Sequence, residues 1–201
     1  MADVKPILFS VDMVRALLAG RKTQTRRVVK DQDIPDEVYE LIPGDMHPCP
    51  YGQPGDLLWV REAWSGCFDQ GHIRVRDRHP DIVWYWADGN CPDGDWEKPR
   101  PSIHMPRWAS RLTLRVTGIR VERVQDISQS DADAEGCPGF YSPMHPDAGV
   151  TDGQTPREEF AELWNSINAK RGFGWDANPW VWVIDFEVIQ RNVDDVLREA
   201  A

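Results

Sequence analysis

The residues whose types and spacing are suited to chemistry lie together between Gly20 and Lys30. This stretch holds two threonine hydroxyls, Thr23 and Thr25, and a basic cluster formed by Arg21, Lys22, Arg26, Arg27 and Lys30. Neighbouring positive charge lowers the pKa of a lysine, and such a lysine can remove the proton of a nearby hydroxyl and make it a nucleophile. The pattern therefore predicts either a nucleophile with its base or a solvated basic turn, and the residue types alone favour neither.

A short helix is predicted directly before the basic cluster. Apolar residues recur there at helical spacing, at Val11, Val14, Leu17 and Leu18. Ser10 is a suitable N-cap, and Gly20 can adopt the left-handed conformation that ends a helix. We therefore expect a helix from Ser10 to Ala19 that stops sharply and is followed by the basic cluster in a tight turn.

The charge of the whole chain limits the classes of partner. The chain has 201 residues, enough for one domain with a real core, and its formal net charge is −10. Such a charge argues against a protein that coats nucleic acid non-specifically, because that binding depends on neutralising phosphates. A basic cluster on an acidic chain instead indicates a focused anion site.

Metal, disulfide and membrane roles are not indicated. The four cysteines, Cys49, Cys67, Cys91 and Cys137, include no C-x-x-C pair, and with His47 and His72 they match no common zinc spacing. No apolar run is long enough to span a membrane, and no signal segment opens the chain. We therefore predict a cytoplasmic protein without structural disulfides, metal or other cofactor.

The predicted elements favour an α+β fold. Strands are expected at 7–9, 57–62, 82–86, 112–121 and 180–186, and further helices at 128–136 and from Pro156. Irregular segments separate them at 31–54, 66–106 and 141–155, and a polar tail covers 192–201. Because long helices do not alternate with the strands, a small mixed β-barrel is expected instead of a doubly wound sheet.

The sequence resembles the ASCH family, whose members are PUA-like β-barrels. The stretch Gly20-Arg21-Lys22-Thr23-x-Thr25-x-Arg27 is similar to the first signature of that family, and 127–136, ending in Glu135-Gly136, is similar to the second. Ile-Leu-Phe-Ser near the start, Gly-Asp-x-Leu-Trp-Val-Arg-Glu and Asn-Pro-Trp-Val-Trp-Val resemble ASCH-like proteins of bacteriophages and prophages. The resemblance covers about residues 6–189 and implies a single domain over 1–201, with insertions at the three irregular segments.

The resemblance implies a chemistry, because small bacterial members hydrolyse N4-acetylcytidine. Carried over by motif position, Lys22 is the base, Thr25 the nucleophile and Glu135 the acid that protonates the leaving amine. Backbone N–H groups from Gly20 to Thr23 are candidate donors for the oxyanion. The expected partner is a modified nucleoside, a nucleotide or RNA.

Two departures from the family pattern keep a second function open. Gln24 and Arg26 flank Thr25 where the small enzymes have apolar residues, and the chain is about twice as long. The alternative is a non-catalytic module of phage origin that binds RNA or a modified base. In that function the basic cluster would bind the phosphate of the ligand. RNA cleavage is less expected.

Four further residues are predicted to bind substrate: Arg21, Arg27, Arg61 and Trp64. Arg61 and Glu62 lie at the polar end of a strand, so either both face the mouth of the pocket or they form an exposed ion pair with each other. Trp64 lies at a strand margin and either stacks on a base or belongs to the core.

Overall fold

The computed structural model describes residues 2–30, 32, 49–67, 83–89, 93, 96–140 and 153–200. Much of the three predicted insertions, 31–54, 66–106 and 141–155, therefore lies outside the described residues.

The fold is of the mixed α+β class, which confirms the predicted class. The strands are β1 (Val4–Leu8), β2 (Gln24–Val28), β3 (Leu57–Arg61), β4 (Trp64–Gly66), β5 (Val83–Tyr85), β6 (Thr113–Arg123) and β7 (Trp180–Ile189). The helices are α1 (Val11–Leu18), α2 (Gln129–Ala134), α3 (Pro156–Asn168) and α4 (Val193–Glu199). A five-stranded sheet has the order β1-β3-β6-β7-β2, and β4 pairs with β5 separately.

The first of two compact units consists of Met1–Gly20, Pro50–Thr117 and Phe186–Ala201. In this unit β1 runs parallel to β3, and β3 pairs with antiparallel β6. One hydrophobic cluster joins α4 to β3 through Val193, Val196, Leu57 and Trp59. Burying such side chains is worth about 1.5–3 kcal/mol each, so this cluster fixes α4 on the sheet.

The second unit consists of Arg21–Cys49 and Gly118–Asp185. Here β2 pairs with antiparallel β7, with Thr25 opposite Ile184 and Arg27 opposite Trp182. Helices α2 and α3 pack on each other. Their apolar faces and that of β7 form one core, which contains Val124, Ile127, Ala132, Cys137, Phe160, Trp164, Val181 and Val183.

The helix before the basic cluster is confirmed. The Ser10 hydroxyl accepts a hydrogen bond from the Met13 N–H at 3.4 Å, and Ala19 caps the C-terminus of α1. Gly20 has φ +69°, the left-handed conformation that a glycine adopts without strain. The sequence therefore places both ends of α1 correctly.

The predicted turn after this helix is wrong in its second half. Residues Gln24–Val28 form strand β2, and only 21–23 are irregular. The cations suggested a solvated turn, but three successive residues, Gln24, Thr25 and Arg26, are buried. A buried strand with polar side chains has no apolar alternation, so its sequence did not indicate a strand.

The other elements differ from the predictions at their ends. Strands 57–62, 112–121 and 180–186 are found as β3, β6 and β7, and helices 128–136 and 156 onward as α2 and α3. The predicted strand 82–86 is shorter, because Trp86 begins a 3-10 turn. The polar tail contains α4, capped by Asn192. Across the described part of the chain, no helix combines the length and apolar character needed to cross a membrane.

Candidate active site

Lys22 and Glu135 form a buried ion pair within the second unit. Lys22 Nζ donates to Glu135 Oε2 at 2.6 Å and to the Glu135 carbonyl oxygen at 2.7 Å. Both side chains are almost fully enclosed, with 0% and 3% exposure. Glu135 is the C-cap of α2, and the Thr23 N–H donates to the Ala134 carbonyl at 2.8 Å. The end of α2 therefore fixes the segment that carries Lys22.

The environment of Lys22 favours its neutral form more than water does. Burial is the largest effect and lowers the pKa of Lys22, and the charge of Arg27 acts in the same direction. Glu135 opposes this with its charge and hydrogen bond, but the net shift of the pKa is downward. A lysine with a lowered pKa is suited to the role of general base.

Arg26 is a second cation on the same carboxylate. Its Nη1 donates to Glu135 Oε1 at 3.3 Å, and its Nε and Nη2 donate to Glu122 Oε1 at 3.0 Å and 2.6 Å. The Asp131 carboxylate is 3.7 Å from Nη2. Arg26 is 3% exposed, so this cation and Lys22 do not belong to an exposed anion site. The predicted cluster of five surface cations is corrected accordingly.

The amide of Gln24 also contacts carboxylates. Its Nε2 donates to Asp185 Oδ1 at 2.6 Å and to Asp131 Oδ1 at 3.1 Å. Gly118 leaves the space that Asp185 needs, because a Cβ there would lie 3.0 Å from Asp185 Oδ2. The polar residues that flank Thr25 are therefore matched by acidic partners from β6, β7 and α2.

Asp131 is held in its ionised form by this network. Burial acts to raise the pKa of Asp131, but the hydrogen bonds from Ser128 and Gln24 and the charges of Arg26 and Arg120 together outweigh it. The net result is a pKa below the usual value. The carboxylates around β2 thus balance the buried positive charge.

Thr25 lies on the other face of β2. Side chains alternate along a strand, so Thr25 points away from the face that Gln24 and Arg26 share. It is 1% exposed, and its Oγ1 has no hydrogen-bond partner in the part of the chain that the structure describes. A buried hydroxyl without a partner is costly, so a bound group that hydrogen-bonds to it gains affinity.

The remaining predicted residues of the second unit are more accessible. Arg21 and Lys30 are exposed, and Arg27 is half-buried with its Nη1 donating to the Arg26 carbonyl at 3.3 Å. Of the proposed oxyanion donors, the Gly20 N–H bonds the Leu17 carbonyl and the Thr23 N–H bonds α2. The N–H groups of Gly20 and Thr23 are therefore already occupied by backbone carbonyls and do not serve as oxyanion donors in this conformation.

Arg61 and Trp64 belong to the first unit. The Arg61 guanidinium lies 5.3 Å from the centre of the Trp59 ring and donates to the Ile103 carbonyl. The alternative of an exposed Arg61–Glu62 ion pair is wrong, because Glu62 is 1% exposed and its Oε1 pairs with Arg111 Nε at 3.0 Å. Burial raises the pKa of Glu62, and the hydrogen bond and charge of Arg111 oppose this.

The Trp64 ring is enclosed. It is 0% exposed, meets the Trp108 ring edge to face at 6.1 Å between centres, and lies 5.5 Å from the Arg100 guanidinium. A nucleobase can stack on Trp64 only if this side chain becomes exposed. In this structure Trp64 is therefore a core residue.

The residue that sequence reasoning missed is Arg26 as a partner of Glu135. The usable signal was the spacing of Gln24 and Arg26, two positions apart, which places both polar side chains on one face if the segment is a strand. Cys137, close to the pair, is not a nucleophile candidate, because burial first and then the charge of Glu159 raise its pKa to about 12.

No metal site is seen among the described residues, which contain no group of three or more histidine, cysteine, aspartate or glutamate side chains placed for one. His47, His72 and Cys91 lie outside them. A cavity of about 350 Å³ in the second unit is lined by Pro138, Gly139, Phe140, Gly153, Gln154, Thr155 and Pro156. None of the three predicted catalytic residues lines it.

Comparison with known proteins identifies no family. No family model and no curated protein matches the chain. One similar solved structure is a crystal structure from Enterococcus faecalis V583 described as DUF984, with 12% identity and a TM-score of 0.43 over 96% of this chain and 83% of the other. Similarity at this level supports no conclusion about fold or activity.

Proposed function

We propose that the chain is an ASCH-type, PUA-like barrel protein that hydrolyses the acyl amide of an N4-acylated cytidine or a similar modified base. The observation that carries the proposal is the buried lysine with a lowered pKa, 2.6 Å from the Glu135 carboxylate, in the unit that also holds the buried hydroxyl of Thr25. Base, carboxylate and nucleophile are thus all present in the second unit, without a need for residues elsewhere.

Each residue has a role in the proposed reaction. Lys22 Nζ accepts the proton of Thr25 while Thr25 Oγ1 attacks the acyl carbon. The ammonium passes a proton to Glu135 Oε2, which protonates the amine as the carbon–nitrogen bond breaks. Water then hydrolyses the acyl-threonine ester, releasing the carboxylic acid and restoring the hydroxyl.

The test is hydrolysis of a panel of acylated nucleosides, followed by chromatography. Thr25→Ala and Lys22→Ala are each expected to lower turnover by about 10²-fold or more, because they remove the nucleophile and its base. Since the two act as a unit, the double variant should be little slower than either. Glu135→Gln should also be impaired, because an amide cannot relay the proton.

Thr23→Ala is the matched control, since Thr23 is an exposed threonine two positions away. It should turn over as wild type does. Normal hydrolysis by Thr25→Ala would rule out Thr25 as the nucleophile. An equal loss of turnover in Thr23→Ala would mean that either substitution only disturbs the structure of this segment.

Binding without catalysis is the second candidate, and the orientation of Thr25 favours it. Thr25 points away from the β2 face whose Arg26 contacts Glu135. In this function the exposed Arg21 and Lys30 hold the phosphate of a nucleotide or RNA. The binding function is favoured over hydrolysis if the wild-type protein binds one nucleoside of the panel in the micromolar range but hydrolyses none of them.

A further inference from the structure

The two oxygens of the Glu135 carboxylate are held by two different cations. Oε2 accepts from Lys22 at 2.6 Å, and Oε1 accepts from Arg26 at 3.3 Å. All three side chains are buried, at 0%, 0% and 3% exposure of the side chain for Lys22, Arg26 and Glu135. The carboxylate therefore has one cation that can lose its proton and one that cannot, because a guanidinium stays charged at any ordinary pH.

This arrangement solves a problem that a base at position 22 creates. Removing the charge of one member of a buried ion pair leaves the other uncompensated, which is strongly unfavourable. If Lys22 were the only cation on Glu135, its deprotonation would leave a buried carboxylate without a counter-ion. Arg26 on Oε1 prevents this.

We propose that Arg26 is a positioning residue that holds Glu135 by Oε1 and remains its counter-ion when Lys22 has given up its proton. The inference rests on the proposed function for its catalytic meaning, while the claim about Lys22 and Arg26 stands on the contacts alone. Arg26 itself never meets the substrate in this account.

Arg26 is fixed well enough to do this. Besides its bonds to Glu122 on β6, its Nη1 donates to Gln24 Oε1 at 2.5 Å, and its guanidinium lies 5.6 Å from the centre of the Phe160 ring on α3. Asp131 on α2 adds a further carboxylate at 3.7 Å. Because its partners come from two helices and from strands, the Arg26 guanidinium has one defined orientation.

The groups that face Lys22 determine the direction of the expected effect. Glu135 and Cys137 favour its ammonium form, and Arg27 opposes it. When Arg26 no longer bonds to Glu135, the carboxylate has only Lys22 as its partner and holds the ammonium more strongly. The pKa of Lys22 should then rise, and less of the neutral base is present at neutral pH.

The variants are Arg26→Gln, Arg26→Lys and Glu122→Gln. Arg26→Gln removes the positive charge that balances the surrounding carboxylates, so it is the variant that is most prone to misfold. Arg26→Lys keeps the charge, but one ammonium cannot span Glu122 and Glu135, and Glu122 makes the shorter contacts. Glu122→Gln is the control, because it loosens Arg26 from the other side and leaves its bond to Glu135.

The first readout is the titration of the Lys22 side chain by NMR of ¹³Cε-labelled lysine. The chain has five lysines, so the signal that Lys22→Met removes assigns it. We expect its midpoint to move to higher pH in Arg26→Lys and not in Glu122→Gln. An unchanged midpoint in Arg26→Lys overturns the inference, whether or not the protein is an enzyme.

The second readout is the pH profile of hydrolysis, which separates positioning from stability. Arg26→Lys should lower kcat about tenfold near neutral pH with KM unchanged, and its rate should recover as pH rises. Glu122→Gln should keep the wild-type profile even if it unfolds more easily. Equal effects of both variants on stability, with both profiles unchanged, mean that Arg26 is only structural. Absence of turnover in wild type contradicts the proposed function, and the NMR titration then decides on Arg26 alone.

Discussion

At the scale of one residue, Lys22 shows how little a buried ion pair need add to stability. Desolvating a lysine and a carboxylate costs several kcal/mol per ion, and their attraction roughly repays it. The net shift of the Lys22 pKa is downward, so the folded state disfavours the ammonium relative to water. In the proposed function, this loss of stability is what keeps Lys22 ready to act as a base.

This leads to a prediction on stability as a function of pH. Because the pKa of Lys22 is lower when folded than the 10.5 of a free lysine, the unfolded chain binds more protons between these two values. The contribution of Lys22 to the free energy of unfolding therefore rises with pH through that window. Urea denaturation of wild type and Lys22→Met from about pH 7 to about pH 10 should show a difference that changes with pH.

Lys30→Met is the control, since Lys30 is exposed in the same segment. Its difference from wild type should stay flat. A flat difference for Lys22→Met as well would contradict the lowered pKa.

Helix α3 shows at the scale of an element how local sequence fixes one wall of the second unit. Thr155 accepts a hydrogen bond from the Glu158 N–H, and the Glu158 carboxylate accepts one from the Thr155 N–H at 2.8 Å. Pro156 fits the first turn, where no N–H partner is required. Phe160 and Trp164 then face the core that also carries β7.

Thr155→Ala should therefore destabilise the protein by about 1 kcal/mol, because the first turn of α3 loses its cap. Ser166→Ala, on the same helix, is the control, because the Ser166 hydroxyl donates to the Leu163 carbonyl one turn back and caps no helix end. Its midpoint of urea unfolding should barely move. A Thr155→Ala midpoint equal to that of wild type would mean that packing alone holds this helix start.

The elements differ in how far the sequence could predict them. Helix α3 is predicted by its N-terminal cap and its apolar stripe, and strand β7 is predicted by its apolar run. Strand β2 is not predicted by its local sequence, because Gln24 and Arg26 are stable in the interior only with carboxylates that lie 96 to 161 positions away in the sequence. The pairing of Lys22 with Glu135 came from the family resemblance alone, since no spacing rule joins residues 113 positions apart. Trp64 remained ambiguous because burial is decided by packing.

At the scale of the whole molecule, charge limits what the protein can bind. The net charge is −10, and two of the five cations of the basic cluster are enclosed with carboxylates. Arg21 and Lys30 are exposed and Arg27 is half-buried, so these three cations of the cluster are the ones that solvent reaches. Binding of long nucleic acids at physiological salt should therefore be weak.

Changing Arg21 and Arg27 together to Gln should weaken nucleotide or short RNA binding. The salt slope should fall by about one for each arginine that no longer holds a phosphate. The matched control changes Arg115 and Arg198 to Gln. It changes the net charge by the same amount as the Arg21 and Arg27 variant, but the arginines that it removes lie outside the basic cluster and pair with Glu187 and Asp195. Fluorescence anisotropy at several salt concentrations measures both. Equal losses would show that only the overall charge matters, and no loss would show that these arginines hold no phosphate.

The pairing of β2 with β7 also has a consequence for how the protein is made. Gln24 and Asp185 are 161 positions apart, and Lys22 and Glu135 are 113 apart. Closing such long loops costs chain entropy before the contacts repay it, so these pairings form slowly and late. A chain on the ribosome that has not yet released β7 offers β2 no partner strand. Its lysine and arginines therefore stay hydrated until β7 has been made, and the candidate site assembles late in the folding of this part of the chain.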